Sequence, residues 1–145
     1  MNHNILISVR AVIIKDKKVL ALRREFDDED TRWVFPGGHM ESSDKNAEEA
    51  LKRECMEEVN LTVEVDKRIF EQNFKGRINH FYLCTVLDGK AGYGNGPEYT
   101  HPEKYHGRYH PEWISIGDLN KYDLYPIELR DKIEKEFKIT KQTKF

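Results

Sequence analysis

A chain of 145 residues suits one compact domain and leaves little room for a second. With 38% hydrophobic residues, a mean hydropathy of −0.78 and no apolar run near the roughly 20 residues that cross a bilayer, no membrane-spanning helix is expected. A formal net charge of −2 supplies no global basic field for gripping nucleic acid. The start, Met1-Asn2-His3-Asn4, lacks the basic and apolar regions of a secretory signal. Cys55 and Cys84 stand alone and read as small buried hydrophobes, so the cytoplasm is the expected compartment.

Along the chain, Ile5 to Ile14 is rich in β-branched residues and reads as a strand. Asp16-Lys17-Lys18 reads as a polar turn, and Val19 to Arg24 as the returning strand. Glu25 to Thr31 is a charged connection. Arg32 to Phe35 is a short aromatic strand, stopped by Pro36-Gly37-Gly38, which should break regular structure. Ser42, Ser43 and Asp44 are candidate caps for a helix over Ala47 to Val59. Leu61 to Phe70 and Arg77 to Leu87 read as two further strands, and Gly89 to Gly107 as a loop. Trp113 to Ile116 is a candidate last strand, Ile127 to Phe137 a closing amphipathic helix, and the tail from about residue 140 should be loose. This order points to an α/β chain, a mixed sheet covered by helices.

The chemistry concentrates between Glu41 and Glu58. Seven acidic residues (Glu41, Asp44, Glu48, Glu49, Glu54, Glu57, Glu58) face three basic ones (Lys45, Lys52, Arg53) there. Such a cluster repels a phosphate-bearing ligand unless a cation stands between them. At about 100° per residue, Ala47, Ala50, Leu51 and Cys55 share the packing face of the helix. Glu54 and Glu58 fall inside that apolar stripe, with Glu57 at its margin. Ionised carboxylates there cost several kcal/mol of desolvation unless paired or bound to metal. They could be solvated beyond a short packing face, or paired with Arg23 or Arg24. Carboxylates at i, i+3 and i+4 can also converge on one hard cation such as Mg²⁺. The Gly37-Gly38 turn leads straight into this helix and lets backbone approach a ligand closely.

These residues resemble the Nudix box, G-x5-E-x7-R-E-U-x-E-E-x-G-U with U aliphatic. Gly38 matches its first glycine, Arg53-Glu54 its R-E, Glu57-Glu58 its paired acids and Leu61 its last aliphatic. The stretch Trp33 to Glu41 and the later Trp113-Ile114-Ser115-Ile116-Gly117-Asp118-Leu119 extend the resemblance over most of the chain. Three departures stand out. Asp44 replaces the loop Glu, eight residues instead of seven separate it from Arg53, and Asn60 replaces the Gly after the helix. The longer loop leaves Asp44, Lys45 and Glu41 all open for the loop role. Asn60 is mild, since Asn tolerates the left-handed position that ends a helix.

The resemblance implies a Nudix fold, an α/β/α sandwich, and hydrolysis of a phosphoanhydride bond in a nucleoside di- or triphosphate derivative. It implies Mg²⁺, with Mn²⁺ as an alternative, held by Glu54, Glu57 and Glu58. Arg53 would orient its acidic neighbours, and Gly37 and Gly38 would shape the substrate loop. Outside the box, Arg10, Arg23 and Arg24 are candidate phosphate partners, and Glu98 in Gly96-Pro97-Glu98 a candidate catalytic carboxylate from a closing loop. Each has a plain alternative as solvated charge, and His80 reads as a strand-end histidine. The aromatic run Tyr99 to Tyr109 either stacks a base or packs the loop. Competing readings are a non-catalytic Nudix-fold nucleotide-binding module and an unrelated helix with a chance ExxEE. A small nucleotide-like diphosphate is the expected partner, with no membrane or nucleic acid; oligomeric state stays open.

Overall fold

The computed structural model describes residues 6–25, 32–92 and 108–142. Its described strands are β1 Leu6–Lys15, β2 Lys18–Glu25, β3 Arg32–Val34, β4 Gly37–His39, β5 Thr62–Phe74, β6 Arg77–Asp88, β7 Arg108–Ser115 and β8 Leu124–Tyr125. The helices are α1 Ala47–Val59 and α2 Ile127–Gln142, with a 3₁₀ segment over Ile116–Lys121. Strand order is β5-β6-β1-β2-β3-β8, with β4 on β1 and β7 on β2. The β1–β6 and β3–β8 pairs are parallel and the rest antiparallel, so the sheet is mixed as expected.

Period-2 alternation in the central strands explains the layering. In β1 and β2, Val9, Ala11, Ile13, Leu20 and Leu22 join a cluster with Ala50, Leu51, Cys55 and Val59 of α1. The intervening Val12, Val19 and Ala21 join Leu129 and Ile133 of α2 with Phe35 and Phe81. Both faces of the central strands are therefore buried, each under its own helix.

β1 and β2 pair only near their turn, at Ile14↔Val19 and Lys15↔Lys18. Farther along, β1 takes β4 as partner (Ser8↔His39 to Arg10↔Gly37) while β2 takes β3. The two central strands thus diverge, and the Pro36-Gly37 corner fills the wedge, with Ala11 N–H donating to the Pro36 carbonyl at 2.8 Å. That wedge is where a cleft opens.

Several boundaries differ from the sequence reading. The Gly-Gly segment continues into strand β4, because β1 offers it a free edge where β2 departs. β5 and β7 run longer than expected, and the 3₁₀ segment and β8 were not anticipated. α2 extends to Gln142, past the expected start of the loose tail. The helix cap is Asn46, whose side chain accepts the Glu49 N–H at 2.9 Å, rather than Ser42, Ser43 or Asp44. At the other end Asn60 adopts φ 60°, ψ 39° and donates to Cys55 and Met56 carbonyls, the left-handed cap foreseen for it.

Candidate active site

The site grows from the contact between α1 and the β1–β4 corner. Gly37 has φ +146°, and a Cβ there would overlap the Val9 carbonyl oxygen and the Arg10 backbone. Only glycine lets β4 lie this close to β1. Its N–H then donates to a carboxylate oxygen of Glu58, which is 6% exposed. Gly38 serves a different end: a Cβ on it would stand 2.7 Å from Glu54 Oε1, so its bareness makes room for that carboxylate.

Arg53 organises the acids around it. Its Nε and Nη2 donate to the two oxygens of Asp44 at 3.1 and 3.0 Å, a bidentate fork. Its Nη1 reaches Glu54 at 3.2 Å and Glu57 at 3.3 Å, and lies 3.4 Å from Glu41. The fork holds the Asp44 carboxyl below the usual carboxylate range, helped by the Glu41 N–H that Asp44 also accepts. The same fork raises the Arg53 guanidinium above its ordinary value against the opposing effect of burial. Among the three candidates for the loop role, Asp44 holds Arg53 by two hydrogen bonds and Glu41 by a single longer ion pair. Asp44 lies one residue farther from Arg53 than the motif prescribes and still reaches it.

Arg10 enters the wedge from β1 and donates to the carbonyls of Phe35 at 3.1 Å and Gly37 at 3.3 Å. Burial lowers its pKa, and the nearby charges of Glu58 and Glu54 oppose that shift. Arg24 stacks over the Tyr109 ring at 5.1 Å, its direct cross-strand partner on β7. These groups share one cleft of about 330 Å³, walled by Arg10, Leu22, Arg24, Val34, Gly37, Gly38, His39, Glu41, Glu54, Glu57, Glu58 and Tyr109.

The structure thus brings Glu54, Glu57 and Glu58 together with Gly37, Gly38, Arg10 and Arg24. Arg23 goes elsewhere, to Glu25 and Glu112, both at 2.7 Å. His80 sits within β6 beside Arg68 and Glu71, away from the cleft. Glu98 lies outside the described residues. The sequence reading gave His39 no role; of the aromatic run Tyr99 to Tyr109, read as stacking a base or packing the loop, Tyr109 lines the cleft. The pairing of β2 with β7 is what sets Tyr109 opposite Arg24. His39 stands next to the Gly-Gly pair, its Nδ1 2.9 Å from the fully buried Ser8 hydroxyl. Desolvation lowers its pKa, with the Arg77 and Arg10 charges adding to the effect.

The carboxylates are hard oxygen donors of the kind Mg²⁺ prefers, and they open on one cleft, so the residue set fits a divalent cation. Among the described residues no three or more His, Cys, Asp or Glu side chains stand in a ready-made ligand cluster. Arg53 lies between Glu54 and Glu57 and neutralises them in this arrangement.

A fold of this topology, with the box glutamates facing arginines across a cleft, is what a Nudix domain presents. The chain belongs to the Nudix family: residues 5–134 match the model of the NUDIX domain. Solved structures of the same fold include the E. coli ORF135 protein, at 23% identity and TM-score 0.63 over 96% of this chain and 92% of that one. A MutT structure from work on Aliivibrio salmonicida and Vibrio cholerae shows 24% identity and TM-score 0.63 over 90% and 94%. An ADP-ribose pyrophosphatase from Streptococcus suis 89-1591 shows 21% identity and TM-score 0.61 over 84% and 81%. At these identities the likeness establishes the fold. No curated protein matches the chain.

Proposed function

We propose that this chain is a pyrophosphohydrolase that cleaves a phosphoanhydride bond in a small nucleoside di- or triphosphate derivative. One observation carries the reading: Glu54, Glu57 and Glu58 open on the same 330 Å³ cleft as Arg10 and Arg24. Acids alone would repel a diphosphate, and arginines alone would only bind it. A cleft with both charges suits a ligand that arrives with a cation.

In this reading Glu54, Glu57 and Glu58 hold Mg²⁺ or Mn²⁺, the class of cofactor Nudix hydrolases use. When bound, the cation neutralises the diphosphate and makes its water a better nucleophile. The chain's own residues do the rest. Arg24, and Arg10 anchored on two carbonyls, meet phosphate charge, while Leu22, Val34 and Tyr109 wall the apolar side of the cleft. Arg53 is a positioning residue: pinned by Asp44, it keeps Glu54 and Glu57 from swinging into solvent. A carboxylate accepts the proton of the attacking water, either a box glutamate or Glu98.

The test is a substrate panel with phosphate and pyrophosphate detection, run with Mg²⁺, with Mn²⁺ and with EDTA. Metal-dependent turnover of a nucleotide derivative, lost in Glu54→Gln and Glu58→Gln, supports the reading. Undiminished turnover in EDTA overturns the metal role. Nucleotide binding without turnover of any panel member would make the chain a binding module.

A further inference from the structure

A second cavity of about 220 Å³ lies on the same sheet face as the catalytic cleft. Lys15, Lys18 and Lys90 stand around it over Leu61, Val86 and Trp113, and none of these lines the catalytic cleft. Tyr109 of the cleft and Trp113 of the cavity lie on one side of β7, four residues apart, which is about 13 Å along a strand. Leu20 lies between Lys18 and Leu22 on the same side of β2 and is fully buried under the α1 cluster. Packed core therefore separates the two.

The charge arrangement is unusual. Lys15 and Lys18 are direct cross-strand partners beside the β1–β2 turn, so their side chains leave the sheet on the same side. Like charges directly opposite repel, and this turn holds them in register, with Asp16 and Lys17 at φ 51° and 63°. Lys90 approaches from the segment after β6. Among the described residues none of these three lysines has an ion-pair partner. Asp16, the one carboxylate in the wall, is not within ion-pair distance of any of them. Three exposed lysines without an ion-pair partner among the described residues thus line one cavity beside a half-buried indole.

We propose that this cavity is a second binding site, for a small phosphate-bearing anion. A phosphoryl dianion supplies the charge that the facing lysines lack, and compact lysine ammoniums suit it as point charges. Trp113, Leu61 and Val86 offer an apolar surface for any ring the anion carries. The volume lies below the roughly 300–1,000 Å³ of drug-sized pockets, which limits the ligand to something like inorganic phosphate or a mononucleotide. The inference stands on its own residues and does not depend on the catalytic reading.

The full chain, ¹⁵N-labelled and in EDTA to prevent turnover, is titrated separately with inorganic phosphate and with AMP. Saturating shifts are expected at the amides of Lys15, Lys18, Lys90 and Trp113. In parallel, Trp33→Phe leaves Trp113 as the single tryptophan and its emission should follow the same curve. The double variant Lys18→Ala, Lys90→Ala should raise the apparent Kd about tenfold or more, with turnover at the catalytic cleft unchanged. Tighter binding of AMP than of phosphate would show that the ring is held as well; equal affinity would show a phosphoryl site alone. Absence of saturating shifts at those amides, unaltered affinity in the double variant, or shifts confined to residues 37–58 would each overturn the proposal.

Discussion

The two ends of the sheet face beneath α1 carry opposite charge and handle it differently. At one end Glu41, Asp44, Glu54 and Glu57 gather around Arg53, and Glu58 meets the Gly37 N–H with Arg10 near by. At the other end Lys15, Lys18 and Lys90 face a cavity with no counter-ion among the described residues. The acidic end is an interlocked set in which each group is held by another, so losing one member disturbs several. The basic end is three exposed side chains that no hydrogen bond or ion pair ties together, so each can be changed with little consequence for the fold. Buried, mutually bonded charge is sensitive to deletion in a way that exposed charge is not.

The largest effect that would break this contrast concerns Glu54 and Glu58. Glu54→Gln and Glu58→Gln should each lower kcat by about a hundredfold or more, while circular dichroism stays native. Wild-type kcat in either variant would remove the catalytic role of the acidic end. The two glycines sharpen the point. Gly37→Ala forces a side chain at φ +146° into the Val9 carbonyl and should lower stability by about 3 kcal/mol, read from urea unfolding. Gly38→Ala should instead push the Glu54 carboxylate aside and lower turnover with a smaller change in stability. If both variants behave alike, the division between backbone fit and carboxylate placement is wrong.

Asp44 comes next. Replacing it by Asn weakens the fork to Arg53 and should lower stability by about 2 kcal/mol at pH 7, the range for hydrogen bonds to charged groups. Its folded pKa is depressed, so its contribution is fully present above the unfolded value and fades as pH falls through the folded one. The Tm gap between wild type and Asp44→Asn should therefore hold near neutrality and close below about pH 4. A gap independent of pH would mean that Asp44 acts by shape and not by charge. Turnover should fall less than in the glutamate variants, since Arg53 retains Glu41, Glu54 and Glu57.

The contrast also explains what could be read from the sequence. The acidic end is local: Gly38, Asp44, Arg53, Glu54, Glu57 and Glu58 lie within one short strand, one loop and one helix that follow each other directly, so their spacing is readable in the sequence. The misplacement of two charges in the apolar stripe of α1 was itself the signal, and Glu58 does lie buried on that face. The cap was misread because Ser42, Ser43, Asp44 and Asn46 are all competent by residue type, although the helix starts at Ala47 as expected and so takes Asn46, its immediate neighbour, as cap. Tyr109 and the lysine cavity depend on β2–β7 pairing and on where the segment after β6 returns. Those are long-range contacts that no local periodicity encodes. Strand β4 was missed for a related reason, since Gly37-Gly38 looks like a breaker until β1 presents a free edge.

The smallest effect tests the basic end. Lys15 and Lys18 face each other across the hairpin, with no carboxylate within ion-pair distance among the described residues. Their repulsion should destabilise the hairpin by a few tenths of a kcal/mol, in the range for like-charge cross-strand pairs. Lys18→Ala removes that repulsion and should raise stability by about 0.5 kcal/mol at low salt. Both lysines are exposed, so the gain should vanish at about 1 M salt, where the screening length is about 3 Å. The double-mutant cycle with Lys15→Ala isolates the pair: the second substitution should add nothing further once the first has removed the repulsion. A loss of stability on Lys18→Ala, or a gain that persists at high salt, would mean that packing of the lysine stems against Trp113 outweighs charge. Adding phosphate to the wild type should stabilise it by neutralising the same charges, and should have no such effect on the Lys18→Ala, Lys90→Ala double variant.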